Sequence, residues 1–167
     1  MPIEVGDRLP DATFFVMTPD GPAPRTVAEE FGGKRAVLFG VPGAFTPTCH
    51  RNHLAGFLAQ ADAIRAKGVD VIAVTGVNDV HVFDAWAKAS GGVGVIDFLS
   101  DGGALFAKAL GLTFDGTERG MGVRSQRYSM ILDDRVVTTL AVEETPRSAD
   151  LSGAAALLAA LDQHPRP

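Results

Sequence analysis

Cysteine is almost absent from this chain: the 167 residues include one, at position 49. A single thiol cannot form an internal disulfide, so any disulfide chemistry must involve a second molecule. Basic clusters are absent as well, because 15 Lys and Arg stand against 20 Asp and Glu, for a formal charge of −5 and no basic stripe. This balance argues against a nucleic-acid surface and favours small molecules or proteins as partners.

Long apolar runs are missing too. The first seven residues lack the basic start and apolar run of a signal peptide, and no stretch is long enough to cross a bilayer. We therefore expect a cytoplasmic protein that does not associate with membranes. The composition, 46% hydrophobic and 21% charged, suits a single domain over residues 1–167 with a well-formed core.

Short apolar runs alternate with helical patterns along the chain. The predicted strands cover 12–17, 35–41, 69–75, 95–99, 127–132 and 136–142. The predicted helices cover 26–31, 48–67, the segment after Asn78-Asp79, 101–110 and 150–161. Breaks are predicted at 18–22, at a flexible loop over 116–122, and at a frayed tail over 165–167. Asp133-Asp134-Arg135 suits a hairpin, so an antiparallel edge is expected beside a parallel centre.

The cysteine stands in an unusual local sequence. It follows Pro42-Gly43-Ala44-Phe45-Thr46-Pro47-Thr48, where a loop is predicted to enter a helix, whereas a thiol used only for packing is expected in an apolar run. The free N–H groups and the macrodipole at a helix N-terminus favour an anion, so they stabilise a thiolate over the thiol. The position therefore predicts a reactive Cys49.

The spacing Pro42-x-x-x-Thr46-x-x-Cys49 resembles the active-site motif of the peroxiredoxins, and VPGAFTPTC is similar to the peroxiredoxin-5, or type II, subgroup. Similarity extends over nearly the whole chain, through segments at 49–57, 77–79, 99–102, 108–112 and 127–130. The resemblance implies an α/β thioredoxin-like fold, with a mixed central β-sheet flanked by helices on both faces. It also implies a homodimer and a thiol-dependent peroxidase that reduces hydrogen peroxide and alkyl hydroperoxides.

Peroxide reduction needs a thiolate that attacks in line with the O–O bond, and donors that stabilise charge on the departing oxygen. The resemblance makes Cys49 the nucleophile and Arg127 a permanent cation that favours the thiolate and orients the substrate. Thr46 offers a hydroxyl to thiolate and peroxide, and Pro42 shields the thiol from water. The backbone N–H groups of Ala44 and Cys49 are further candidate donors to the substrate.

Some of these residues also have simpler interpretations. Arg127 could pair with Asp133 or Glu143 on the sheet surface, and Arg124 is close enough in sequence to take its place. The match of Arg127-Tyr128-Ser129-Met130 to the subgroup favours Arg127. Thr46 could be a helix N-cap, which is compatible with a role at the site.

Two histidines follow the cysteine. Cys49 and His53 are four residues apart and share a helix face, so a Cys-His hydrolase is conceivable, but no orienting third group or oxyanion hole is legible. His53 is interpreted as a structural or tuning histidine near the site. A metal site formed by Cys49, His50 and His53 is less favoured, since successive helix residues diverge and no second ligand cluster is present. We expect no metal and no prosthetic cofactor.

Many relatives in the subgroup carry a second, resolving cysteine, but residues 145–152 contain none. The predicted enzyme therefore has one reactive cysteine, whose sulfenic acid must be reduced by an external thiol. Glutathione with glutaredoxin is the first candidate reductant, and thioredoxin or a mycothiol-type thiol is the second. A redox relay or peroxide sensor, which passes oxidation to a protein partner, is the alternative function.

Overall fold

The computed structural model describes residues 1–165 of the chain, and the last two residues of the predicted tail lie outside this range. The described residues form nine strands, five α-helices and two short turns of other helix types. The strands are β1 (Thr13–Thr18), β2 (Gly21–Thr26), β3 (Arg35–Val41), β4 (Val71–Gly76), β5 (Asp97–Ser100), β6 (Thr113–Asp115), β7 (Val123–Ser125), β8 (Tyr128–Asp133) and β9 (Val136–Val142). The helices are α1 (Val27–Phe31), α2 (Ala55–Ala66), α3 (Val80–Ser90), α4 (Leu105–Leu110) and α5 (Ala154–Gln163). A π-helical turn, Cys49–Leu54, leads directly into α2, and a 3-10 turn, Thr117–Arg119, lies between β6 and β7.

Seven strands form one sheet in the order β2-β1-β5-β4-β3-β8-β9. Strands β3, β4 and β5 pair in parallel, whereas β1, β2, β8 and β9 pair antiparallel. This arrangement confirms the predicted parallel centre with an antiparallel edge. Strands β6 and β7 form a separate two-stranded ribbon.

Helices cover both faces of the sheet, so the central strand β3 is buried along its whole length. Alternate side chains of a strand point to opposite faces, so Val37 and Phe39 pack with α2, α3 and α5, while Ala36 and Leu38 pack with α1 and α4. The ring of Phe39 stacks on that of Phe57 in α2 at a centroid distance of 4.0 Å. The predicted thioredoxin-like fold class is therefore confirmed. Within residues 1–165, no helix has the length and apolar character needed to cross a membrane.

One glycine of β3 is required by close packing. Gly40 pairs with Tyr128 across the β3–β8 register, and a Cβ at Gly40 would lie 2.2 Å from Cε1 of the Tyr128 ring. Tyr128 is fully buried, so the ring has no room to move away from an added methyl group. This contact fixes the start of β8, the strand that Arg127 immediately precedes.

Four short elements are absent from the sequence prediction: strands β2, β6 and β7 and the 3-10 turn. Strand β2 begins inside the break predicted over 18–22 and continues through residues 23–25, for which no element is predicted. Pro22 and Pro24 are unfavourable for a strand. Both prolines are accommodated because β2 lies at the sheet edge and pairs only with β1. The loop predicted over 116–122 instead contains the 3-10 turn and connects β6 to β7.

The ends of the last elements follow local hydrogen bonds. The hairpin between β8 and β9 is confirmed, with Asp134 at φ 45° and Arg135 at φ 69° as its two-residue turn. Helix α5 begins at Ala154, four residues later than predicted at 150. The reason is that the backbone N–H groups of Leu151 and Ser152 donate to the carboxylate of Glu143 and hold this segment outside the helix.

Candidate active site

Cys49 lies where the end of β3 delivers the chain to a helix. The loop after Val41 turns through residues 42–46, and Cys49 is the first residue of the π-helical turn. Its side chain is 0% exposed and belongs to the core between the sheet and α2. The widened π-helical turn, a feature often found at functional sites, buries both Cys49 and His53.

The side chain of Arg127 contacts the cysteine directly. Nη2 of Arg127 donates to Sγ of Cys49 at 2.8 Å and to the carbonyl oxygen of Pro146 at 3.0 Å. Arg124 instead donates to the carbonyl oxygens of Met121, at 2.8 Å, and of Pro42, at 3.3 Å. Of the two arginines considered from the sequence, Arg127 is therefore the one that reaches the thiol.

The imidazole of His53 lies on the other side of the Arg127 guanidinium. Nδ1 of His53 is 2.9 Å from Nη1 of Arg127, and Nε2 is 2.9 Å from the carbonyl oxygen of Ser152. Since a carbonyl can only accept, Nε2 carries the proton and Nδ1 accepts from the guanidinium. Burial, and secondly the charge of Arg127, lower the pKa of His53 to about 3. The ring is therefore neutral at physiological pH.

The buried carboxylate of Glu143 supports the segment at Ser152, whose carbonyl oxygen contacts His53. Glu143 accepts from the backbone N–H of Ser152 at 2.7 Å, from the Ser152 hydroxyl at 2.6 Å and from the N–H of Leu151 at 3.1 Å. Burial raises the pKa of Glu143, but these hydrogen bonds outweigh it and the pKa is lowered. Glu143 also donates its own N–H to the carbonyl oxygen of Arg127 at 2.9 Å. Glu143 thus holds the segment at Ser152 through its carboxylate and the backbone of Arg127 through its own N–H.

Sequence reasoning did not identify Pro146, Ser152 or Glu143 as supports of this site. Pro146 and Ser152 contribute backbone carbonyl oxygens, which every residue type possesses. Glu143 was considered only as a surface partner of the Arg127 side chain, and the contact between the two residues runs through the backbone instead. No residue-type pattern in the sequence could have revealed these three partners.

The loop before the cysteine places the remaining predicted residues. The hydroxyl of Thr46 donates to the carbonyl oxygen of Gly43 at 2.7 Å, and the Thr46 carbonyl accepts from the N–H of His50 at 2.8 Å. The N–H of Ala44, predicted as a donor to substrate, donates instead to Oδ1 of Asn78 at 2.9 Å. The N–H of Ala44 can donate to a substrate only after its hydrogen bond to Asn78 breaks.

A cavity of about 450 Å³ opens beside these groups. Pro42, Thr46 and Arg127, three of the predicted site residues, are among its lining residues. Cys49 contacts the cavity wall through Arg127. The structure therefore brings Cys49, Arg127, Thr46 and Pro42 together at one place.

His50 faces away from His53. Nδ1 of His50 accepts from the indole N–H of Trp86 at 3.0 Å, and its ring lies 5.8 Å from that of Phe45. Cys49, His50 and His53 thus do not converge on a common point. Nowhere in the described part of the chain do three or more His, Cys, Asp or Glu side chains gather as a metal site would require.

A family model and curated relatives place this chain in the same family. The Redoxin family model matches residues 4–158 of this chain. Peroxiredoxin-2E-2, chloroplastic, of Oryza sativa subsp. japonica is 51% identical over 148 residues, which are 85% of this chain and 65% of that protein. The chain thus spans about two thirds of the length of this relative. Peroxiredoxin-2C of the same subspecies is 42% identical over 161 residues, 96% of this chain and 99% of that protein.

Solved structures agree in fold over almost the whole chain. Reduced Prx3 of Vibrio vulnificus, in complex with H2O2, has a TM-score of 0.91 and 50% identity, with coverage of 97% of this chain and 98% of that chain. Peroxiredoxin 5 of Alvinella pompejana has a TM-score of 0.85 and 31% identity, with coverage of 97% and 99%.

Proposed function

The chain belongs to the peroxiredoxin family of thiol-dependent peroxidases, and we propose that Cys49 is the nucleophile with which it reduces hydrogen peroxide and alkyl hydroperoxides. The observation that carries this assignment is the environment of Arg127, which is 1% exposed. Among residues 1–165, no carboxylate oxygen forms an ion pair with its guanidinium. Because a buried charge is costly unless it is paired, the Cys49 thiolate is the anion that balances Arg127.

The chemical step follows from this pair. The thiolate sulfur attacks the terminal oxygen of the hydroperoxide, and the S–O bond forms as the O–O bond breaks. Cys49 becomes a sulfenic acid, while the departing oxygen takes up a proton and leaves as an alcohol or, from hydrogen peroxide, as water. Sulfur is oxidised by two electrons and the peroxide is reduced by two.

Arg127 and Thr46 can hold the peroxide in complementary ways. Nε of Arg127 is buried and has no hydrogen-bond partner within the described residues, so its N–H is available for a peroxide oxygen. The Thr46 hydroxyl has committed its proton to Gly43, so its oxygen is left as an acceptor for the O–H of the peroxide. Buried Pro42 lines the same cavity and limits the access of water.

His53 acts as a positioning residue in this proposal. Its two ring nitrogens are engaged by Arg127 and by Ser152, and neither contacts Cys49. A Cys-His hydrolase needs the imidazole to accept the proton of the thiol, but Arg127 contacts both groups and occupies the acceptor nitrogen. The geometry therefore favours the peroxidase.

Recovery of the thiol requires a second molecule, because Cys49 is the only cysteine. An external thiol condenses with the sulfenic acid to form a mixed disulfide and water, and a second thiol then releases Cys49 as it forms its own disulfide. We propose glutathione with glutaredoxin as the reductant and thioredoxin as the second candidate. Such reductants keep thiols reduced in the cytoplasm, which is the location that we propose.

A homodimer is proposed on an exposed apolar surface beside the site. Phe45, Val82 and Leu105 are 49%, 36% and 70% exposed. The three segments that carry these residues meet at Asn78-Asp79. Asn78 accepts from the N–H of Ala44, next to Phe45; Asp79 caps α3, which carries Val82; and Gly102, shortly before α4 and Leu105, lies against Asp79.

Sedimentation tests this dimer surface: it should show dissociation for Leu105→Lys but not for Val93→Lys, a matched change at another exposed apolar residue. A wild-type monomer, or an equal effect of both variants, would contradict this surface.

The central test is the reaction of reduced protein with hydrogen peroxide in a stopped-flow instrument. Trp86 is the only tryptophan and donates a hydrogen bond to His50, the residue after Cys49. Its fluorescence is therefore a suitable reporter of Cys49 oxidation. Cys49→Ser should abolish both the fluorescence change and peroxide turnover, since a serine hydroxyl is hardly ionised at neutral pH. Circular dichroism should show an unchanged fold. Near wild-type turnover by the folded variant would overturn the assignment.

A further inference from the structure

The cavity beside Arg127 is much larger than hydrogen peroxide requires. Its volume is about 450 Å³, whereas a water molecule in the liquid occupies about 30 Å³. Much of its wall is apolar, with Phe114, Met121, Pro47 and Pro146 among the lining residues. A cavity of this size and lining fits an organic molecule with a hydrocarbon body.

Two arginines besides Arg127 line the cavity. Arg119 and Arg147 are among its lining residues, and both are exposed. Within residues 1–165, neither guanidinium forms an ion pair or a side-chain hydrogen bond. Both charges are therefore available to an anionic group on a bound molecule.

The backbone holds both arginines in place. The carbonyl oxygen of Arg147 accepts from the hydroxyl of Thr48 at 3.3 Å, and the carbonyl of the preceding Pro146 accepts from Arg127. Arg119 ends the 3-10 turn, where its N–H donates to the carbonyl oxygen of Gly116 at 3.0 Å. The two cations are thus attached to segments that also form the site.

We infer that this cavity selects organic hydroperoxides that carry a carboxylate. In this arrangement the hydroperoxide group lies at Arg127 and Cys49, the hydrocarbon body packs on Phe114 and Met121, and the carboxylate pairs with Arg119 and Arg147. The inference rests on the proposed peroxidase function and adds a substrate class to it. The chemistry is that given above, with a hydroxy acid as the product and the Cys49 sulfenic acid as the oxidised group.

The experiment compares two hydroperoxides that differ only in charge: a linear alkyl hydroperoxide with a terminal carboxylate, and its methyl ester. Single-turnover oxidation of Cys49 is followed by Trp86 fluorescence without any added thiol, so recycling cannot limit the rate. The proteins are wild type, Arg119→Gln, Arg147→Gln and the double variant. Arg8→Gln is the control, because it removes the same charge at an exposed residue that does not line the cavity.

Wild type should oxidise faster with the acid than with the ester. Each single variant should lower the acid-to-ester rate ratio by about threefold, and the double variant by about tenfold, the range expected for exposed ion pairs. Added salt should lower the wild-type ratio as well. Rates with hydrogen peroxide, and all rates of Arg8→Gln, should stay unchanged. A wild-type ratio of one, or a double variant that keeps the wild-type ratio, would overturn the inference.

A second arm tests whether the arginines serve the reducing thiol instead. The sulfenic acid form is mixed with glutathione or with its diester, which lacks both carboxylates, and formation of the mixed disulfide is followed by mass. If the double variant changes only the glutathione-to-diester ratio, the arginines bind the thiol and the inference is wrong. Failure of wild type with hydrogen peroxide itself would instead refute the proposed function.

Discussion

Nη2 of Arg127 lies 2.8 Å from Sγ of Cys49, although 78 positions separate the two residues in the sequence. The antiparallel pairing of β3 with β8 makes this contact possible, because Cys49 follows the end of β3 and Arg127 precedes β8. One buried cation and one buried sulfur are thereby held together by the central sheet.

Arg127→Gln should slow the reaction of Cys49 with hydrogen peroxide by about a hundredfold, the loss typical for a preorganised donor. The glutamine keeps a polar side chain but removes the charge that is proposed to balance the thiolate. Stopped-flow fluorescence of Trp86 measures the rate. Arg124→Gln is the control, since Arg124 donates to Met121 and Pro42 and does not touch the sulfur. Equal losses in the two variants would remove the special role of Arg127.

His53 should make the fold less stable in acid. Its pKa falls from an ordinary 6.5 to about 3, chiefly through burial. Between these values the unfolded chain binds a proton that the folded chain does not. The free energy of unfolding should therefore fall as the pH drops through this range, by at most about 1.4 kcal/mol per pH unit.

His53→Asn tests this dependence, because it removes the titrating ring. Urea unfolding between about pH 7 and pH 4 should give a flatter profile for the variant than for wild type. Burial raises the pKa of Glu30 from an ordinary 4.5 to about 7. Between these values Glu30 lowers the free energy of unfolding as the pH rises, which is opposite to the effect of His53. Glu30 is present in both proteins, so the difference between the profiles isolates His53. Parallel profiles would contradict the prediction.

Gly40→Ala should lower the free energy of unfolding by about 1 to 3 kcal/mol, the usual cost of overpacking a core. The added Cβ would meet the ring of Tyr128 at 2.2 Å. Gly56→Ala is a matched control inside α2, where the nearest atom to the added Cβ, that of Ala154, is 3.8 Å away. That change should stabilise by about 0.4 to 1 kcal/mol. Denaturant midpoints that shift in the same direction would refute the packing argument.

Oxidation without any added thiol should give no covalent link between two chains. Cys49 is 0% exposed and has no partner sulfur, so excess peroxide should give the sulfenic acid and then the sulfinic acid. Glutathione should instead give a mixed disulfide, and glutaredoxin should restore turnover. Intact-mass spectrometry follows each species. Rapid turnover without a thiol, or a Cys49-linked dimer as the main product, would be incompatible with this cycle.

Local residue patterns predicted most of the fold because strand burial, helix capping and hairpin turns each depend on the types and spacing of neighbouring residues. The buried run of β3, the cap at Asp79 and the β8–β9 hairpin have clear signatures in residue type and spacing, and the structure contains each. Strand β2 lacked such a signature, because prolines are tolerated there only by virtue of its edge position. That position depends on the whole sheet and cannot be read from six residues.

The site was predictable where residue type carries the chemistry. The motif around Cys49 and the segment beginning at Arg127 named the two groups that the structure brings together, while their catalytic roles stay predictions. The hydrogen bond of Ala44 to Asn78 could not be foreseen, because it joins residues 34 positions apart. The same holds for the carbonyl oxygens of Pro146 and Ser152.

Within residues 1–165 no carboxylate forms an ion pair with Arg127, and this has a consequence after the proposed chemical step. A sulfenic acid is neutral, so oxidation leaves the guanidinium as a lone charge in the protein interior. Electroneutrality returns if a thiol restores the thiolate, and it returns equally if a second peroxide makes the anionic sulfinate. With the roles proposed for Cys49 and Arg127, the cation that promotes attack on the peroxide also stabilises the irreversibly inactivated form. The supply of reductant then decides whether the enzyme keeps turning over or is inactivated by its own substrate.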